Sequence, residues 1–136
     1  MNCKDNKYLI KIPSKEEIVS SVLAFCTEED IKSAWISGIG AVESATLSTY
    51  DLDKKEYKSN NLEGRLELLN LTGNIGTLDG KIVAHLHCTI ADGNAEAFGG
   101  HLTKAIVSAT CEILITKIDF QIRRGLDPRT GLNLID

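Results

Sequence analysis

The sequence lacks most of the features that would place a chain quickly. No run approaches the ~18 consecutive apolar residues of a membrane span. The start, Met1-Asn2-Cys3-Lys4-Asp5-Asn6-Lys7, is polar with no apolar stretch behind it, so it does not read as a secretory signal. The four cysteines, Cys3, Cys26, Cys88 and Cys111, lie far apart and include no Cys-x-x-Cys pair. Without a secretory signal such cysteines are poor material for disulfides, and the expectation is a reduced, cytoplasmic protein. Cys88 and Cys111 sit in apolar runs and read as core residues. Gly-x-Ser-x-Gly elbows and phosphate loops are absent, as are internal repeats, low-complexity segments and linkers. Positive charge is not in excess: the formal net charge is −4. That argues against a duplex DNA surface as the main business of the chain, without excluding a local basic patch.

What is present fits one folded domain spanning residues 1–136. The apolar fraction is 43% and the charged fraction 25%, and neither points to disorder. A chain of this length buries roughly two-thirds of its unfolded surface, enough for a real core.

Tyr8–Ile12 reads as a first strand, stopped by Pro13. Ser14 followed by Glu17 predicts a capping box, and Ile18, Val22 and Cys26 mark the apolar face of a helix ending near Thr27. Glu28-Glu29-Asp30 reads as an acidic start for a short second turn, although a charge run of this kind is usually just a solvated face. From Lys32 the pattern changes to period two. Ala34–Ser37 is a strand, Gly38-Ile39-Gly40-Ala41 a bulge or bend, and Ser44–Asp51 a second strand. The glycine spacing fails as a nucleotide fingerprint, because Glu43 stands where the third glycine belongs. Glu56–Ser59 returns, Asn60-Asn61 loops out, and Arg65–Ile75 resumes the sheet. Asp79-Gly80 predicts a hairpin into Lys81–Ile90. Leu102–Ser108 and Cys111–Thr116 read as strands, and Ile118–Arg124 as an extension of the sheet. The expected class is α+β: a mainly antiparallel sheet, one N-terminal helix and short helical segments.

All three histidines fall in one segment, Lys81–Leu102. Strand alternation puts His85 and His87 on one face with Val83 and Thr89. The other face, Ile82, Ala84, Leu86, Cys88 and Ile90, must then be core. Positions i and i+2 are about 6.5–7 Å apart, close enough for two imidazoles to lean onto one ion. His101 would join from an adjacent strand or through a bend at Gly99-Gly100. Three neutral imidazoles suit a divalent metal, zinc first. The alternative is three ordinary polar residues on a solvated strand face, and spacing alone does not decide between them. Glu112 and Glu67 are candidate fourth ligands or general bases, and Arg65 a candidate anion holder. For each, the competing reading is the solvent face of a half-exposed strand.

Ser37-Gly38-Ile39-Gly40-Ala41, Leu68-Leu69-Asn70-Leu71-Thr72-Gly73-Asn74-Ile75, His85-Leu86-His87 and Gly99-Gly100-His101-Leu102 occur in that order. Together they resemble the PPC family, plants and prokaryotes conserved. The closing Arg123…Asp127…Thr130-Gly131-Leu132 fits its bacterial and archaeal branch. The resemblance implies an α+β homotrimer with a metal site at His85, His87 and His101. It also implies a DNA-binding name that the AT-hook supports in plant members; Arg123-Arg124-Gly125-Leu126 is not such an element. The fold so implied is similar to that of acetolactate decarboxylase, a zinc enzyme with a comparable histidine arrangement. Three functions follow as expectations. The first is a non-enzymatic, trimeric, metal-binding module for a small ligand or protein partner. The second is a DNA-associated regulator. The third is a metal-dependent lyase or hydrolase on a small oxo-acid.

Overall fold

The computed structural model describes residues 2–136. Among them are eight strands and one helix, in the order β1 (Asn2–Lys4), β2 (Lys7–Pro13), α1 (Ile18–Glu28), β3 (Ala34–Asp51), β4 (Glu56–Leu78), β5 (Lys81–Ala91), β6 (Ala97–Lys117), β7 (Arg123–Asp127) and β8 (Leu132–Ile135). The chain is thus a predominantly β protein with one helix. The expected short helical segments are not found among the described residues. After Glu28 the chain turns out of the helix, with Asp30 at φ 50°.

The sheet runs β1-β2-β6-β3-β4-β7-β8, and β5 pairs with both β4 and β6. Strands β3, β4, β5 and β6 therefore form a closed circuit of antiparallel pairs. One pairing is parallel: β7 lies beside the end of β4, with Leu78 opposite Arg124. The fragments expected on either side of Gly38–Ala41 are a single strand of 18 residues. Its pairing with β4 slips between Gly38 and Gly40, and again between Val42 and Ser44, so the expected bulge is real. Asn60 and Asn61 do not loop out; they pair with Leu47 and Thr46 in continuous ladder. Their polarity reflects an exposed strand end and not a turn. The Asp79-Gly80 hairpin is observed, both residues carrying positive φ (50° and 77°). Residues 118–122 are outside any strand, and the sheet resumes at Arg123.

The helix is capped differently from expectation. Glu17 itself is the N-cap, and its carboxylate accepts from Val19 N at 3.0 Å and Ser20 N at 2.7 Å. The same carboxylate accepts from Ala105 N of β6 at 3.1 Å, so one side chain both caps α1 and ties it to the sheet. A longer side chain than serine is needed to reach both. Ile18, Val22 and Cys26 are fully buried, along with Ile36, Leu71, Ile75, Ile90, Val107, Ile113 and Ile115. Each such aliphatic side chain contributes about 1.5–3 kcal/mol on burial. All four cysteines are free thiols. Burial pushes Cys26 and Cys88 up to about 11, and burial together with neighbouring Glu112 pushes Cys111 up to about 12. No described helix is long and apolar enough to cross a membrane.

Candidate metal centre

Strand alternation on β5 is as expected. Leu86, Cys88 and Ile90 are buried on the core side, while His85 is half-buried and His87 exposed on the other. His101 arrives from β6, where it is the direct cross-strand partner of His87. Gly99 and Gly100 make no bend; they continue the ladder opposite Thr89 and Cys88. The adjacent-strand route is therefore the one used.

The three imidazoles each offer a ligand atom within 4.8 Å of the others, with ring centroids 5.0–5.5 Å apart. A tetrahedral zinc site needs nitrogens about 3.3 Å apart, given bonds of ~2.0–2.1 Å. The nitrogen chemistry fits. His101 Nδ1 is buried with no hydrogen-bond partner, a state that costs free energy unless something fills it. Burial, then the neighbouring Arg124 charge, then the other two histidines lower His85 to about 4. Burial first, and then His87, lowers His101 as well. Both effects keep the imidazoles neutral, the form that ligates a metal.

The backbone behind the site is tightly fitted. Gly73 of β4 has φ +154°, and a Cβ there would collide with the carbonyl oxygen of His85. Glycine is thus required for β4 to approach β5 at the histidine level.

Four further features complete the surroundings, and sequence reasoning gave none of them a role at the site. Asn74 of β4 pairs with His85, is nearly buried, and its Oδ1 accepts from Arg124 Nη2 at 2.6 Å. Arg124 Nη2 also lies 3.4 Å from His85 Nδ1. Tyr57 places its ring 5.1 Å from that of His101. The β7–β8 turn is fastened over this end of the sheet, with Tyr50 Oη donating to Thr130 O and Lys55 Nζ to Pro128 O. A cavity of about 400 Å³ results, lined on its polar side by His85, His101, Arg124, Lys55 and Glu56. The parallel pairing that brings Arg124 here has no local signature. A carboxylate or arginine flanked by apolar strand residues was the signal available, and it pointed to Glu67, Glu112 and Arg65.

Those three residues are not part of the site. Glu67 is exposed and pairs with Ala41 and Ala91. Glu112 is exposed between Lys11 and Ile39, eleven residues along β6 from His101, or roughly 35 Å of strand. Arg65 is exposed and does not line the cavity. Both carboxylates are solvent-facing strand residues, which need no partner. The carboxylate that does line the cavity is Glu56.

Comparison with known proteins gives a consistent picture. The family model described as the Plants and Prokaryotes Conserved (PCC) domain matches residues 3–119. A crystal structure from Bacteroides thetaiotaomicron, of a protein whose name supposes DNA binding, is 35% identical and superposes with a TM-score of 0.96 over 99% of this chain and 94% of that one. A metal-containing protein from Archaeoglobus fulgidus is 36% identical, with a TM-score of 0.89 over 96% of this chain and 93% of that one. Among curated proteins, the bifunctional protein GlmU of Synechococcus sp. (strain JA-3-3Ab) is 28% identical over 91% of this chain. The chain spans about a fifth (19%) of that relative's length. Acetolactate decarboxylase from Bacillus subtilis shares the fold alone: 15% identity and a TM-score of 0.62.

Proposed function

The chain belongs to the Plants and Prokaryotes Conserved (PCC) domain family, and from that premise we propose that it is a divalent-metal-binding domain with His85, His87 and His101 as ligands and zinc as the favoured ion. One observation carries this reading: three imidazoles from two paired strands converge within 4.8 Å, with one ring nitrogen buried and unpartnered. The description of the Archaeoglobus protein as metal-containing supports it. When bound, such an ion supplies Lewis acidity at whatever position the three nitrogens leave open. The histidines hold it, with Arg124 Nη2 close beside the His85 ring and anchored in turn on Asn74.

The domain's role on this reading is that of a ligand- or protein-interaction module, assembled as a homotrimer in a reducing, cytoplasmic setting. Exposed Trp35, Ile39 and Leu69 offer apolar surface for assembly, and the four free thiols suit a reducing compartment. DNA binding is the competing reading. It rests on the names of similar proteins, and the net charge of −4 gives it no support. Lyase or hydrolase chemistry on a small oxo-acid is weaker still, because the fold likeness does not carry chemistry and Glu67 and Glu112 lie outside the site.

The test is elemental analysis of protein purified without a histidine tag, followed by zinc titration. The expected result is about one equivalent per chain, lost in the His85→Ala/His87→Ala double variant. Protein that takes up no divalent metal, or a double variant that binds it unchanged, would sink the reading. A duplex DNA shift at low salt that weakens steeply with added salt would favour the competitor.

A further inference from the structure

The cavity beside the histidines contains a cation, Arg124, that forms no ion pair among the described residues. Arg124 is partly buried, and every group it contacts is neutral: Asn74 Oδ1, Asn133 O at 3.2 Å and His85 Nδ1. Its Nε is buried with no partner. No carboxylate lies within 4 Å of it among the described residues. A guanidinium withdrawn from water normally has an acid beside it, and its planar fork matches a carboxylate better than any other common group.

We propose that this cavity binds a small carboxylic acid, its carboxylate on Arg124 and its apolar body against Val83, Leu132 and Leu134. The volume, about 400 Å³, falls in the range of small-molecule sites. Lys55 adds a second positive charge to the lining, against the single carboxylate of Glu56. The apolar wall selects a ligand with a hydrocarbon portion, and one guanidinium suits one carboxylate; a phosphate, with more charge and more acceptors, calls for a larger set of donors. The proposal deepens the metal reading, since His85 and His101 line the same cavity, and an ion there would add to the positive field. The Arg124 contact itself does not require the ion.

The experiment is an amide NMR titration of metal-free and zinc-loaded protein with butanoate, butanamide and inorganic phosphate. Butanoate is expected to bind at least tenfold more tightly than butanamide and more tightly than phosphate, with shifts centred on Val83, Arg124 and Leu134. Arg124→Met should weaken butanoate tenfold or more. Leu134→Trp, which narrows the cavity and keeps the guanidinium, should weaken it as well while zinc content stays constant. Equal affinity for butanoate and butanamide, preference for phosphate, or butanoate binding unchanged in Arg124→Met overturns the proposal. The two readings fail separately. Butanoate binding to a chain that takes no zinc overturns only the metal centre, whereas zinc uptake with butanoate binding indifferent to Arg124 overturns only the acid site.

Discussion

The two faces of strand β5 are built to opposite rules. On the core face, Leu86, Cys88 and Ile90 pack into a fully apolar interior, and α1 closes over it with its backbone donors satisfied by Glu17. On the other face, His85 and His87 meet His101 and Arg124, and two buried nitrogens there have no partner. Consecutive residues of one strand thus pack the core and present the imidazole cluster in alternation. Unsatisfied buried polar groups are uncommon in folded proteins, and both of those among the described residues, His101 Nδ1 and Arg124 Nε, lie on this face.

This contrast predicts that substitutions on the two faces have different signatures. The largest stability loss is expected on the core face. Leu86→Ala, at a position 1% exposed, should cost about 3 kcal/mol in denaturant unfolding, within the usual range for a buried leucine. If Leu86→Ala were neutral, the division between the faces would be wrong. Next comes the histidine face, where the effect depends on metal. Zinc at a hundredfold excess over its dissociation constant should stabilise the wild type by about 2.7 kcal/mol, and the His85→Ala/His87→Ala variant should lose this gain while its metal-free stability stays close to wild type. Thermal melts with and without zinc read both quantities. Glu17→Ala should cost about 1–2 kcal/mol, because it removes the helix cap and leaves Ala105 N without its acceptor. A Glu17→Gln variant, which keeps one acceptor oxygen, should lose less.

A separate effect is expected in pH. His85 titrates at about 4 in the folded chain, against 6.5 for an unperturbed histidine, so between these values the unfolded state binds more protons. Metal-free stability should therefore fall as pH drops from about 6.5 to about 4, and His101, lowered for the same reason, adds in the same direction. His85→Ala should flatten this slope, and a slope unchanged in that variant would mean that His85 is not the group responsible. Acid unfolding at a series of pH values measures it.

Much of the fold was legible because its signals are local. Period-two patterning from Lys32, the Asp79-Gly80 turn and the face assignment on β5 all depend on residues close in sequence, and all are observed. Misreadings arose where a local signal had a non-local use. Ser14 with Glu17 has the spacing of a capping box, yet Glu17 alone caps, because its carboxylate is also held by Ala105, 88 residues away. Asn60-Asn61 has the composition of a loop, yet the length of β3 draws it into the ladder. Glu67 and Glu112 looked like charges in apolar strands, yet each points to solvent between neighbours that no sequence window contains.

By itself the sequence determined the family resemblance, the strand-rich class and the pairing of His85 with His87 on one face, since side-chain alternation is a property of the extended backbone. It did not determine that His101 would stand directly opposite His87, because register between strands depends on bulges and turns acting together. Nor did it reveal Arg124. That residue reaches the histidines only because β7 runs parallel to β4 and the turn beyond it is fastened by Tyr50 and Lys55. A contact made by closing a long loop leaves no periodicity in the chain, so the charge that most shapes this cavity was decided by tertiary structure alone.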